Sequence, residues 1–293
     1  MTLVDVTSKR RLGLFSPLRY PGGKSKLAGF FADVIAEANL KDVTYVEPFA
    51  GGAGAGLALL QSGLVERVVI NDLDVAVNSF WRALVEANDE IVERIRITPL
   101  TIEEWERQRE IYRASDSRAP VELGFAFFYL NRTNRSGVLH AGVIGGKAQA
   151  GRYRIDARFN RDELARRVRN IGEVAERITV SLDDGRKCFA RWADEPNTFL
   201  YIDPPYVQAG GSLYLNAFNE RDHAELANAV NAHANANWLM TYDDSSLIRN
   251  LYTDRSLFDF ELHYSAHRVG RARELLVASD PISGLVRSRR ASK

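Results

Sequence analysis

The chain lacks the residues that build covalent or metal-bound scaffolds. It has one cysteine, Cys188, among 293 residues, so no internal disulfide can form and a reducing, cytoplasmic setting is expected. A single cysteine also excludes a C-x-x-C pair, and His223 and His233 are too far apart to share a helical turn. No metal site is expected. No run of 18 apolar residues is present, and Pro17 interrupts the stretch from Leu12 to Leu18. Neither a membrane span nor a signal peptide is therefore expected. Net charge is also nearly absent, at +1. What remains, 45% hydrophobic and 26% charged residues, is ordinary for a globular protein.

The small net charge hides an uneven distribution. Residues 131–169 hold ten Lys/Arg against three Asp/Glu, a local +7 that leaves −6 for everything else. A basic block inside a slightly acidic body suggests a local anionic partner, and a solvated charged face accounts for it equally well.

Along the chain, the first ten residues are polar and read as loose. The loop Pro17 to Lys24 precedes a helix from Ser25 to Glu37 with an apolar face. A strand over 42–47 enters the small-residue run Ala50 to Gly56 and then a helix. A second strand, 67–70, ends at Asn71-Asp72, and a helix runs from 75 to 87. Strand, glycine loop, helix, strand and acid open a doubly wound α/β domain. Residues 88–170 differ in character. Helical stretches near 101–113 and 120–130 precede a loop with five glycines after Ser136, and a helix is expected over 162–176. The α/β pattern resumes at 178–180, 199–203 and 238–242. The expected organisation is one α/β domain, residues 1–87 and 171–293, carrying an insertion at 88–170.

The most informative segment is Tyr201-Ile202-Asp203-Pro204-Pro205-Tyr206. Neither proline can donate to a sheet ladder, so the strand stops there. Asp203 is then presented at a strand's C-terminal end, the usual ligand edge of an open α/β sheet. A carboxylate, the Pro204 carbonyl and the Tyr206 ring suit an amino group on a planar ring: two acceptors for its hydrogens and a stacking face. A strand followed by a stiff turn is the plainer reading.

In the glycine loop, Gly51 and Gly52 allow close approach of a ligand, and the next helix offers free N–H groups. Asp72 stands 20 residues after Gly52, the separation of an acid that receives ribose hydroxyls. The glycines do not spell G-x-G-x-x-G, and nicotinamide, flavin and S-adenosylmethionine enzymes share such loops. Glu47-Pro48-Phe49 leans toward S-adenosylmethionine, whose cationic α-amino group an acid would meet.

Four segments stand in one order: Leu18-Arg19-Tyr20-Pro21-Gly22-Gly23-Lys24, Val46 to Gly54, Asn71-Asp72, and Asp203 to Tyr206. With Phe127 to Arg132 (F-F-Y-L-N-R) and Arg273 to Leu276, the chain resembles the Dam-type DNA adenine methyltransferases over nearly its whole length. That resemblance implies a Rossmann-like S-adenosylmethionine-dependent methyltransferase sheet with an inserted, mostly helical target-recognition domain. It implies methyl transfer to the 6-amino group of a flipped adenine in double-stranded DNA. Asp203, Pro204, Pro205 and Tyr206 would be catalytic. Tyr20, Gly22, Gly23, Lys24, Glu47, Pro48, Phe49, Gly51, Gly52 and Asp72 would line the cofactor. Either Asp183 or Asp184 would stand near its adenine, with Asp184 the candidate carried forward. Asn131 and Asn134 would read base edges, and Arg132, Arg135, Arg152 and Arg154 would meet DNA. A cognate restriction endonuclease is a further implied partner, and a monomer is the default. Met240-Thr241-Tyr242-Asp243 departs from the family's S-N-H-D and leaves Tyr242 and Asp243 without a role. An RNA methyltransferase and a non-catalytic DNA-binding protein with a decayed site stay open as alternatives.

Overall fold

The structure is a computed structural model that describes residues 2–19, 24–207, 218–264 and 270–289. Its centre is an eight-stranded sheet of β1 (Thr2–Leu3), β2 (Thr44–Glu47), β3 (Arg67–Asn71), β4 (Ile178–Ser181), β5 (Thr198–Ile202), β6 (Trp238–Asp243), β7 (Ser256–Tyr264) and β8 (Gly270–Ala278). The order across the sheet is β1-β7-β8-β6-β5-β2-β3-β4. β8 runs antiparallel to both β6 and β7, and the other pairings are parallel.

Alternation along the central strands sorts side chains onto two faces. Tyr45, Phe199, Tyr201 and Leu239 join one apolar cluster, and Val46, Leu200, Ile202 and Met240 join the other. Both faces are buried, which is why β5 reads as an unbroken apolar run rather than an alternating one. Helices α1 (Ala28–Glu37), α2 (Gly54–Gln61) and α3 (Val75–Glu86) cover the first face. Helices α8 (Gly185–Ala193), α9 (Glu220–Asn231) and α10 (Ser246–Leu251) cover the second. A last helix, α11 (Asp280–Ser288), returns to the first face through Ile282 and Val286.

The chain goes from β2 outward to β3 on one side and from β5 outward to β6 on the other. The reversal lies between β2 and β5, and a crevice opens there at their C-terminal ends. The glycine loop and the Asp203 turn are the two lips of that crevice.

Between α3 and β4 lie α4 (Asn88–Ile97), α5 (Ile102–Ala114), α6 (Pro120–Thr133) and α7 (Arg161–Gly172). They do not form a separate core. α6 lies so close to α3 that a Cβ on Gly124 would come 2.7 Å from the Phe80 backbone. The Phe80 and Phe128 rings stack at 5.6 Å, and one apolar cluster runs from the sheet face through α7.

Two expectations are corrected. The N-terminus is not loose: β1 pairs with β7, and Val4 and Val6 are buried. The helix α4 was not anticipated; it follows α3 across the single residue Ala87 and buries Ile91, Val92 and Ile95.

Candidate active site

The first lip of the crevice starts at the end of β2. Gly51 and Ala53 take φ of +47° and +44°, which turns the chain sharply into α2. Asp72 fixes that turn, with one oxygen accepting from the Gly51 N–H at 2.9 Å and the other from the Asp74 N–H at 2.9 Å. Burial nevertheless outweighs these donors and pushes the Asp72 carboxyl up to about 6. The indole N–H of Trp81 donates to the Gly51 carbonyl at 2.9 Å, and the Ser16 hydroxyl donates to that of Gly52 at 2.6 Å. Glu47 is 4% exposed and accepts from the Gly56 N–H at 3.0 Å. Burial, with the Asp203 charge adding to it, raises its carboxyl to about 8. Phe49 packs where a Cβ on Gly185 would stand, 2.3 Å from the ring.

Asn71 is fully buried and ties two strand exits together. Its amide donates to the Pro48 carbonyl at 2.8 Å and to the Asp183 carbonyl at 2.9 Å, while its oxygen accepts from the Asp183 N–H at 2.9 Å. Beyond it, Leu73 and Leu182 stand 49% and 45% exposed at the ends of β3 and β4. Two large apolar side chains left in water beside Asp72 form a ready surface for a flat ring.

The second lip is the turn after β5. Thr241 of β6 donates its hydroxyl to Asp203 Oδ1 at 2.7 Å, and Tyr201 meets the same hydroxyl at 2.6 Å. Lys24 is 6% exposed, and its Nζ lies 3.3 Å from both Asp203 oxygens and 3.7 Å from Glu274 Oε2. It also stands 5.0 Å from the Tyr206 ring centroid. The Tyr206 hydroxyl donates to Glu274 Oε2 at 2.7 Å. Asp243 accepts from the Val207 N–H at 3.0 Å and so anchors the segment leaving the turn. Pro204 is buried, Pro205 is half-buried, and no donor among the described residues meets the Pro204 carbonyl. The arrangement offers a carboxylate oxygen and a carbonyl as acceptors beside an aromatic face.

Several expected residues fall elsewhere. Tyr20, Gly22 and Gly23 lie outside the described residues. Lys24, expected at the cofactor, stands at the Asp203 turn, and the next residue, Ser25, packs against Gly54 of the glycine turn. Asp184 caps α8, accepting from the Arg186 N–H at 2.8 Å, and its carboxylate pairs with the Arg186 guanidinium at 2.6 Å, which holds it below the ordinary carboxylate range. Asp183 pairs with Arg191 at 2.8 Å. Both acids are thus engaged within the chain.

Asn131 and Asn134, expected to read bases, are 2% and 0% exposed. Asn131 accepts from the Arg19 N–H at 2.8 Å and donates to the Arg19 carbonyl at 2.8 Å. Asn134 accepts from the Trp105 indole at 2.7 Å and donates to the Val138 and Leu139 carbonyls. Their amides brace the loop after α6 and do not face solvent, so the base-reading expectation is corrected. Arg132 donates to the Arg158 carbonyl at 2.8 Å, and burial together with Arg19, Arg167 and Arg158 pushes its guanidinium down to about 10. Arg135, Arg152 and Arg154 are exposed, and no carboxylate among the described residues pairs with them.

Sequence reasoning missed Thr241, Asn71 and Trp81 as parts of the site, and gave Glu274 no role. It also passed over the H-x-x-x-H spacing of His263 and His267; His267 lies outside the described residues. Among the described residues, no three His, Cys, Asp or Glu group as metal ligands would, and no helix is long and apolar enough to cross a membrane.

The family described as D12 class N6 adenine-specific DNA methyltransferase matches residues 20–270. A Type II methyltransferase, M.CviBI of Paramecium bursaria Chlorella virus NC1A, is 24% identical over 251 residues, covering 84% of this chain and 90% of that protein. An rRNA methyltransferase, aviRa from Streptomyces viridochromogenes, aligns over 91% of this chain and 89% of its own at 13% identity, with a TM-score of 0.39.

Proposed function

The chain belongs to the D12 class N6 adenine-specific DNA methyltransferase family, and we propose how its crevice carries out that reaction with S-adenosylmethionine as donor. The observation that carries the reading is the Asp203 turn, where one carboxylate oxygen, the Pro204 carbonyl and the Tyr206 face converge.

The exocyclic amine of adenine is a weak nucleophile because its lone pair is conjugated with the ring. Asp203 and the Pro204 carbonyl accept its two hydrogens and favour a pyramidal nitrogen, on which the lone pair is localised. Tyr206, held by Glu274, stacks on the ring. When bound, S-adenosylmethionine would supply a sulfonium methyl group to the nitrogen that Asp203, the Pro204 carbonyl and Tyr206 orient. A proton leaves the nitrogen after transfer. Positioning and fixed electrostatics supply most of the acceleration, with effective molarities on the order of 10⁵ M or more within reach.

The first lip would hold the cofactor: Asp72 would receive ribose hydroxyls, Leu73 and Leu182 would flank the adenine ring, Gly51 and Gly52 would admit the chain closely, and Glu47 would meet the α-ammonium group. A cation against this buried carboxyl would favour its charged form.

An adenine inside a duplex cannot reach this crevice and must be flipped out, at a cost of about a few kcal/mol. Arg135, Arg152 and Arg154 on the exposed insert loop offset that cost through phosphate contacts. The similarity to a Type II methyltransferase supports a partner endonuclease of matching specificity. The test is methyl transfer from labelled S-adenosylmethionine to unmethylated genomic DNA, with modified positions mapped by sequencing. N6-methyladenine at one short motif is expected; its absence with cofactor binding intact would overturn the reading.

A further inference from the structure

We propose that Thr241, aimed by Tyr201, is a positioning residue for methyl transfer: it holds Asp203 Oδ1 and leaves Oδ2 to the target amine. The inference rests on the reading of Asp203 given above and deepens it.

An aspartate carboxylate turns easily about its last bond, because that torsion has broad, nearly two-fold wells. Lys24 Nζ is 3.3 Å from each oxygen and donates a long hydrogen bond to Oδ2. A compact cation at that range holds the charge without fixing the plane. The Thr241 hydroxyl does choose: it lies 2.7 Å from Oδ1, a short, charge-assisted bond. This short bond sets the carboxylate plane and occupies Oδ1, so the amine meets Oδ2, whose second lone pair stays open beside the longer Lys24 bond.

The hydroxyl is itself aimed. With its proton on Asp203, Thr241 can only accept from Tyr201, whose phenol stands 2.6 Å away. Tyr201 is 3% exposed and its ring packs 4.5 Å from that of Phe31, so the phenol cannot swing aside. Thr241 is fully buried on β6, where Met240 lies opposite Ile202. That register sets the next residue of each strand, Thr241 and Asp203, side by side. A β-branched residue has few side-chain rotamers and keeps its hydroxyl in place.

The test compares Thr241→Val, Thr241→Ser and Tyr201→Phe with wild type and with Asp203→Ala. The readouts are kcat, KM for DNA, the Kd for S-adenosylmethionine and the melting temperature. Thr241→Val keeps the shape and loses the hydroxyl; its kcat is expected to fall about 10- to 100-fold, the size of one charged hydrogen bond, with the Kd and KM within about twofold. Thr241→Ser restores most of the turnover, and Tyr201→Phe falls between the two. Wild-type kcat in Thr241→Val would overturn the inference. So would equal losses in the Val and Ser variants, or a loss of cofactor affinity matching the loss of turnover, since each marks a structural role. If Thr241→Val does not fold, Tyr201→Phe decides alone: unchanged kcat overturns the inference and a selective fall in kcat upholds it. Turnover retained in Asp203→Ala would instead sink the reading of the turn itself, which separates the two failures.

Discussion

Glu47, buried, and Asp72, half-buried, face the glycine turn with carboxyl groups raised to about 8 and about 6. For Glu47 the ordinary value is 4.5, so between there and about 8 the folded protein keeps a proton that the unfolded chain has released. Its contribution to stability is fully present below about 4.5 and is lost as pH rises toward 8. Glu47→Gln keeps an acceptor for the Gly56 N–H and cannot ionise. Its stability is expected to match wild type near pH 5 and to exceed it at pH 8, by on the order of a few kcal/mol, while affinity for S-adenosylmethionine falls. Thermal melts across that range check it, and a constant offset would refute the assignment. At the other lip, Asp203→Ala is expected to bind cofactor normally and to lose about a hundredfold or more in turnover, the scale seen when one transition-state contact is removed. Single-turnover methylation beside a binding isotherm measures both.

The helices α3 and α6 meet over Gly124, and the fit leaves no room for a side chain there. Gly124→Ala is expected to destabilise the protein by about 1–3 kcal/mol, because backbone on both sides must shift; chemical denaturation measures it. The loop after α6 is held instead through Asn134, which Trp105 of α5 meets. Asn134→Ala strands the Trp105 indole and two carbonyls, which costs about 1–3 kcal/mol per buried group left unpaired. Arg152→Ala and Arg154→Ala sit on the exposed part of the loop and should leave the melting temperature unchanged while weakening DNA binding. These elements show unequal legibility. The alternation of apolar residues and the proline pair located β5 and its end, because strand periodicity and missing N–H groups are local facts. Asn131 and Asn134 misled, because an amide has the same donors and acceptors whether it braces a backbone or reads a base. Only burial separates the two.

For the molecule as a whole, a net charge of +1 with +7 in residues 131–169 overstates the charge available to a polyanion. Arg161 donates to the carbonyls of Arg96 and Thr98 at the end of α4, Arg166 and Arg167 pair with Glu163, and Lys147 pairs with Glu106. The exposed arginines that remain are few, so the salt dependence of DNA binding is expected to have a modest slope. Each of Arg135→Ala, Arg152→Ala and Arg154→Ala should lower that slope by about one. Binding isotherms from low to moderate salt would show it, and a slope untouched by all three would place the DNA elsewhere.

The sequence by itself determined the α/β class, the two lips of the crevice and the kind of chemistry they serve. Each of these rests on residues close together in the chain: a glycine run after one strand, an acid after the next, a proline pair after a third. What tertiary structure alone decided is how distant residues meet. Thr241 reaches Asp203 through strand register, Lys24 lies beside Asp203 and Glu274, and Asn71 joins the exits of β2 and β4. The insert also shares the core of the sheet, because its helices bury their apolar faces on α3 and not only on one another. None of this follows from local pattern, since a hydrogen bond between strands depends on register and burial, which the whole fold sets at once.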